Sequence, residues 1–489
     1  MKLITCLLAV SSLLTLSHSW SAFHDPHMIG DRTTIVQMFE WRFDDLAEEC
    51  EKHLGPAGYG GIQISPPVVE HIIVNHTALF PDLEFPWWQR YQVVSYKVDQ
   101  TRSGTRDQLK DMIERCNKAG VRVYIDTIMN HMTASHGKGK GSAGTEYDSD
   151  NFLYPAVGFN KSHFNSKLKC GTEDGGIHVF DDFWESRNCE LVGLHDLDQS
   201  HPEVQKQIRS HLNEMIDMGV AGFRVDASKH MYPEEIEQIL LSAKFLDEKI
   251  YGPNKRPFII HECRDDTGDG GGIKGTDYVI AGRVINIPFT NGLNEILHKV
   301  NDRKLATLIN FGHATGFYHN DDSITLVDNH DLARERDVDK GMSFKDPVMC
   351  KMASAFMLAW PYGIPKVMSS YRWPWKFVDG IDQNNWMGPP HYDNFTTKRV
   401  SSDSDGNCVD DWVCEHRWGE IRRMVQFRNV AGDSLVSHWW DNGGHQIAFA
   451  RTGKGFIAIN NDNSEMKQVL QTGLPAGKYD DVISGSQKG

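Results

Sequence analysis

The sequence predicts an α/β fold: a (β/α)8 TIM barrel with an irregular insertion after strand 3 and a C-terminal antiparallel β domain that reads as truncated. Length is the first observation, because 489 residues exceed one ordinary core yet suit a barrel of roughly 200–400 residues with additions. The second is an alternation, from about Thr34, of short β-branched runs with amphipathic helical runs, the pattern of parallel βα units. The third is the loss of that alternation beyond about Ala431, where strand-like pieces lack helices between them.

"TTIVQMFEW" and "YGGIQISPP" read as the first two strands, and "FDDLAEECEKHLG" between them as a helix ended by Gly55. "TRDQLKDMIERCNKAG" sets Leu109, Met112, Ile113 and Cys116 at helical spacing and stops at Gly120; the strand "VRVYIDTIMNH" follows at once. Residues 130–198 break the rhythm, being rich in Gly, Asp, Ser and Asn without a clean helix, and form the insertion. The alternation resumes with "PEVQKQIRSHLNEMIDMG" leading to "VAGFRVDASKH", and "PEEIEQILLSAKFLDEK" leading to "RPFIIHE". "RVINIPF", "DDSITLVDNHD" and "DPVMCKMASAFMLAWPYG" leading to "IPKVMSSY" bring the count close to eight strands, each followed by a helix. "QIAFART" and "GFIAINN" belong to the last unit. The expected organisation is a signal peptide at 1–19, barrel at 20–129 and 199–432, the insertion at 130–198 and an incomplete β domain at 433–489.

The first residues give a basic Lys2, an apolar run from Leu3 to Leu16, and small residues at Ser17 and Ser19, the plan of a secretory signal. No later segment reads as transmembrane. Export puts the chain in an oxidising compartment, so of nine cysteines all but Cys6 are disulfide candidates. Asn75, Asn160 and Asn394 each begin a glycosylation sequon. A net charge of −15 argues against nucleic acid or an anionic membrane as partner, since phosphate binding needs clustered Lys and Arg. The 13 tryptophans exceed what packing alone usually asks, and their faces suit apolar sugar surfaces.

The chemistry concentrates where strands end. Residues two apart share a face of a strand, so Arg224 and Asp226 point to one side of "GFRVDASKH" while Phe223 and Val225 point to the other. In a barrel that side is the interior near the mouth, where the carboxyl ends of strands build active sites. Polar strand ends recur at Asp126 with Asn130 and His131, at Glu262, and at Asn329, His330 and Asp331. Four such ends are hard to explain as caps, because unpaired buried charges each cost several kcal/mol.

In that order, "DTIMNH", "GFRVDASKH", "IIHE" and "LVDNHD" resemble the four signature segments of the α-amylase family of glycoside hydrolases. "FEWRFDDLAEECE", "PWWQRYQVVSYK", "PYGIPKVMSSYRWPW" and "DWVCEHRWGEIRRMVQFRNV" extend the resemblance, toward the animal-type secreted members in particular, from about Thr33 to the end. The resemblance implies a secreted, monomeric endo-hydrolase of α-1,4-glucosidic bonds in starch and glycogen that works with retention and serves digestion. It implies Asp226 as nucleophile, Glu262 as general acid/base and Asp331 as the third carboxylate that holds the distorted sugar. A retaining enzyme needs two carboxyl groups roughly 5 Å apart, one ionised and one protonated. Arg224 is expected to keep Asp226 ionised, and crowding among acids to raise the pKa of Glu262.

By the same matching, Trp87, Trp88 and Tyr91 supply an aromatic platform, and His131, Lys229 and His330 contact substrate. Calcium is implied, on Asn130, Asp196 and the carbonyls of Arg187 and His230, oxygen donors that suit a hard cation. Chloride is implied by Arg224 and Asn329, with Lys366 standing where the family has a second arginine. Disulfides are implied for Cys50 with Cys116, Cys170 with Cys189 and Cys408 with Cys414. Cys263 and Cys350 are left over, and strand parity points Cys263 away from Glu262 as an inert buried thiol. The chain departs from the family after "DNHD", where "LARERDVDKGMSFKD" replaces a glycine-rich loop, in "CRDDTGDGGG" after Glu262, and at Asp480, where a cysteine is usual. An α-glucosidase or transglycosylase on the same fold, and a sugar-binding protein that has lost catalysis, are the competing readings; the second predicts a missing carboxylate, and all three are present.

Overall fold

Eight short strands, every residue of them buried, close into a parallel barrel in chain order: β1 (Ile35–Met38), β2 (Gly61–Ile64), β3 (Arg122–Thr127), β4 (Gly222–Val225), β5 (Phe258–His261), β6 (Arg283–Ile285), β7 (Ser323–Leu326) and β8 (Ile364–Ser369). The computed structural model describes residues 21–67, 70–74, 85–265, 272–335 and 341–485. The expected signal peptide, the Asn75 sequon and parts of the two segments after Glu262 and Asp331 lie outside these residues. β1 closes the ring by pairing with both β2 and β8. Strands covered on both faces read as near-continuous apolar runs, which is why the sequence exposes them so plainly.

Helices cover most crossovers: α1 (Phe43–Glu49), α2 (Arg106–Lys118), α3 (Pro202–Met218), α4 (Pro233–Ser242), α5 (Ile287–Leu297), α6 (Pro347–Ala359) and α7 (Gly419–Ala431). In α2 the apolar stripe Leu109, Met112, Ile113 and Cys116 is buried, and Thr105 with Gln108 closes a capping box at its start. Two expectations need correction. Gly55 does not end the first helix: α1 runs on through a π-helical turn, Cys50–Leu54, and a further turn, Gly55–Ala57, and stops at Gly58, whose φ is 82°. Gly55 serves close packing instead, since a Cβ there would lie 2.9 Å from the Ala119 carbonyl oxygen. Nor is every strand followed by an α-helix: between β5 and β6 the described residues hold only a 3₁₀ segment, Gly275–Ala281.

The insertion leaves the barrel after β3. Its strand Leu194–Asp196 pairs back onto His131–Ala134, and its two short helices, Lys167–Cys170 and Phe183–Asn188, flank the Cys170–Cys189 disulfide. At the far end, β9 (Val436–Asp441), β10 (Gln446–Arg451) and β11 (Gly455–Asn460) form an antiparallel sheet. It docks through Arg451, which donates to the carbonyl of Ala359 at 2.9 Å, and through Phe449, whose ring lies 5.4 Å from that of Trp360. The other two disulfides join Cys50 to Cys116 and Cys408 to Cys414, while Cys263 and Cys350 are buried thiols.

Candidate active site

Register assembles the site. β4 pairs with β3 so that Arg224 sits beside Asp126, and with β5 so that Val225 sits beside His261. One residue further on, Asp226 and Glu262 therefore leave neighbouring strands side by side, and the ladder continues past the strand ends through Asp226 N–H to Thr127 O and Glu262 N–H to Val225 O. The Arg224 guanidinium, 1% exposed, donates to Asp126 and Asp226 at 2.6 Å each and lies 2.8 Å from a Glu262 oxygen. Three carboxyl groups thus share one cation. Residue 227 completes the cluster: Ala227 adopts a left-handed backbone (φ 50°), uncommon for a residue with a Cβ, and its N–H donates to Glu262 at 2.8 Å.

The protonation pattern differs from the expectation. Burial pushes Asp226 well above the usual carboxylate range, against the pull of Arg224, and raises Asp126 as well. Burial would raise Glu262 too, but the Arg224 charge and the Ala227 N–H outweigh it and hold Glu262 below its ordinary value. Glu262 takes the ion pair with Arg224 and the hydrogen bond from Ala227 N–H, whereas for Asp226 the cost of burial exceeds the pull of its Arg224 hydrogen bond. With two negative charges in excess of one buried cation, the cluster as a whole favours retaining a proton, burial raising Asp226 and Asp126 while the Arg224 charge holds Glu262 low.

Asp331 reaches the same mouth from beyond β7, lining one crevice with Glu262 and Asn329. The Asn329 side chain accepts from the N–H groups of Asp331 and Leu332 and so fixes the turn. His330 is buried, hydrogen-bonded to Gln37 at 2.9 Å and stacked on Tyr91 at 5.6 Å, and burial drives its pKa well down. His131 is lowered to about 4 by burial, with Nε2 3.0 Å from the Tyr91 carbonyl oxygen. Both rings are therefore neutral hydrogen-bonding groups at neutral pH. Of the aromatic trio, Tyr91 gives its hydroxyl to Asp126 at 3.0 Å, Trp87 is anchored through Asn385 O, and Trp88 packs edge-on against Trp386. Lys229 is buried, with its ammonium 3.4 Å from Asp181.

Among the described residues no cluster of three His, Cys, Asp or Glu side chains has the form of a metal site. A set of one carboxylate, one amide and backbone carbonyls has no such cluster to display. Among the described residues Asn130 Oδ1 and Asp196 Oδ1 are buried oxygens without a hydrogen-bond partner, and burial holds Asp196 well above its usual pKa against the pull of the Asn165 amide and the Lys169 charge. Asn130 and Asp196 are brought together by the Leu197 N–H to Asn130 O bond, and Arg187 and His230 by the contact of His230 Nδ1 with Ser186 O. The Arg187 side chain turns away to Tyr278 and Phe183.

The anion candidates show a parallel pattern: Arg224 Nε is buried without a hydrogen-bond partner among the described residues, and the buried Lys366 donates to Gln63 at 2.9 Å. Burial, then the Arg224 charge, lowers Lys366 to about 7. Sequence reasoning missed Asp126 as a third arm of the Arg224 cluster, and Gln37 and Gln63 as interior partners. The available signal was a polar residue in the middle of each otherwise apolar strand.

The model for the α-amylase catalytic domain matches residues 71–263, and that for the α-amylase C-terminal all-β domain matches residues 438–489. Pancreatic α-amylase 2a5 of Mus musculus is 44% identical over 97% of this chain and 91% of its own length, and the α-amylase of the mite Acarus siro 43% over 99% and 92%. The crystal structure of α-amylase I from Eisenia fetida superposes with a TM-score of 0.87 at 41% identity, covering 94% of this chain and 89% of that one. A mutant of the same enzyme in complex with maltohexaose gives a TM-score of 0.86. With a barrel that gathers three carboxyl groups on one arginine and relatives this similar over nearly their whole length, the chain belongs to the α-amylase family of glycoside hydrolases.

Proposed function

We propose that the chain is a secreted endo-acting α-amylase that cleaves internal α-1,4-glucosidic bonds of starch, glycogen and related oligosaccharides with retention. The observation that carries this is the Arg224 guanidinium holding Asp226 and Glu262 from adjacent strands at the barrel mouth. Two carboxyl oxygens on one guanidinium are compatible with the ~5 Å separation of retaining enzymes. Asp226 attacks the anomeric carbon while Glu262 gives its proton to the departing glycosidic oxygen. Water then adds to the same carbon, Glu262 takes its proton, and the Asp226 ester bond breaks.

Catalysis needs the proton of the cluster on Glu262: the glycosidic oxygen is an acceptor that stabilises the protonated Glu262, and Arg224 then holds Asp226 as the carboxylate. Asp331, His131 and His330 bind the sugar at the point of cleavage, with Trp87, Trp88, Tyr91 and Lys229 along the cleft. Glu262→Gln keeps the shape and removes the proton, so hydrolysis of soluble starch should fall by at least about 10²–10⁴-fold. Near-wild-type release of reducing ends by that variant would rule out Glu262 as the acid.

Calcium suits the orphaned oxygens of Asn130 and Asp196, with the carbonyls of Arg187 and His230, and would tie the insertion to the barrel as a structural ion. Chloride suits the unpaired Arg224 Nε and the Lys366 ammonium. Asn329, whose oxygen is already occupied, would offer its amide N–H. A lysine supplies charge without the forked grip of a guanidinium.

A further inference from the structure

We propose that Arg334 is a positioning residue for cleavage that acts through His330 and Asp331, a proposal that rests on reading those two as the groups that meet the sugar at the point of cleavage. Arg334 follows Asp331 on a single helical turn, Leu332–Glu335, and is itself buried. One arm of its guanidinium donates to the His330 carbonyl. The other donates at 2.6 Å to the Tyr371 hydroxyl, which donates onward to the Met387 carbonyl at 2.7 Å. The turn that carries Asp331 is thereby tied to the chain that leaves β8. Asn329 already fixes the N–H side of that turn, and Arg334 fixes its carbonyl side.

The flat faces of the guanidinium are used as well. Its Cζ lies 4.3 Å from the ring centre of Trp373, 4.9 Å from that of Trp87 and 5.5 Å from that of Phe39, all within reach of cation–π attraction. Two of these rings also hold the His330 imidazole: Phe39 stacks on it at 4.8 Å, and Trp87 meets it edge-on at 5.1 Å. Arg334 therefore grips His330 twice, through its carbonyl and through the rings packed on its imidazole. His330 Nε2 is 3.6 Å from an Asp331 oxygen, so a shift of this unit moves both groups together. A lysine could do neither job, having no fork to reach two acceptors in fixed directions and no planar face to lie against indoles.

Steady-state hydrolysis of a soluble malto-oligosaccharide tests the assignment, with the thermal midpoint as the control for folding. Arg334→Met should lower kcat by about ten- to hundredfold while KM moves by less than about threefold, the pattern of a misplaced group that acts in the transition state. Arg334→Lys should recover little of the loss. In an Asp331→Asn background, where a positioned group is already missing, Arg334→Met should cost less than about threefold more. If Arg334→Met does not fold, the same cycle with Arg334→Lys carries the same expectation. An unchanged kcat in the folded variant, a loss confined to KM, or full additivity with Asp331→Asn would overturn the proposal. Glu262→Gln keeps such a failure distinct from failure of the catalytic reading, because its loss of hydrolysis depends on the acid and not on Arg334.

Discussion

At the scale of single residues, Arg224 gathers the carboxyl groups, and the sequence made its face and its pairing with Asp226 legible but not its other partners. The two-residue spacing to Asp226 placed both on one side of β4, as found. Asp126 was legible as a polar strand end but not as a partner of Arg224, because cross-strand register is not written in either strand alone. The expected rise of Glu262 came from counting charges, whereas the Arg224 charge and the Ala227 N–H hold it low. A pH consequence follows. The Arg224 carboxyl cluster favours one retained proton, so kcat/KM should fall on the alkaline side as the cluster, in which burial holds Asp226 high, loses it, and on the acid side below the usual glutamate range, where Glu262, held low by the Arg224 charge, is protonated as well. Arg224→Gln should move the acid limb upward, as read from kcat/KM against pH on a soluble oligosaccharide; an unmoved limb would contradict the role given to Arg224. Lys366, lowered to about 7, must be protonated to hold an anion, so activation by chloride should weaken as pH rises through that region and vanish in Lys366→Gln.

At the scale of elements, the strands were the most legible because burial on both faces leaves few ways to compose them. Gly222 illustrates the tolerance involved, since a Cβ there would meet the Phe258 carbonyl oxygen at 2.0 Å. The connections were less legible. Gly55 resembled a stop signal but answers to a neighbouring loop, and the segment between β5 and β6 lacks the apolar period that would announce its 3₁₀ form. The insertion, with few strong periods of its own, is where an ion has most to contribute. Chelating calcium should lower the unfolding midpoint of the wild type, and at free calcium one hundred times Kd the ion should add about 2.7 kcal/mol. In Asp196→Asn that dependence should be much reduced. An unfolding midpoint unmoved by chelation would remove calcium from the account.

At the scale of the whole molecule, the barrel brings strand ends from β3, β4, β5 and β7 to one mouth, and the order of those ends along the sequence was legible before any contact was. The disulfide between Cys50 and Cys116 links the π-helical extension of α1 to α2 across 66 residues of sequence, and Arg451 and Phe449 seat the last sheet on α6 and Trp360. These ties steady the frame around the mouth. The claim on which the rest depends is that Asp226 becomes covalently bonded to the sugar. It is tested most directly by incubating the enzyme with a fluorinated glucosyl substrate whose intermediate breaks down slowly, then mapping peptide masses. One added fluoroglucosyl unit is expected on the peptide containing Asp226; a label on another carboxylate, or turnover with inversion and no label, would rule out Asp226 as the nucleophile.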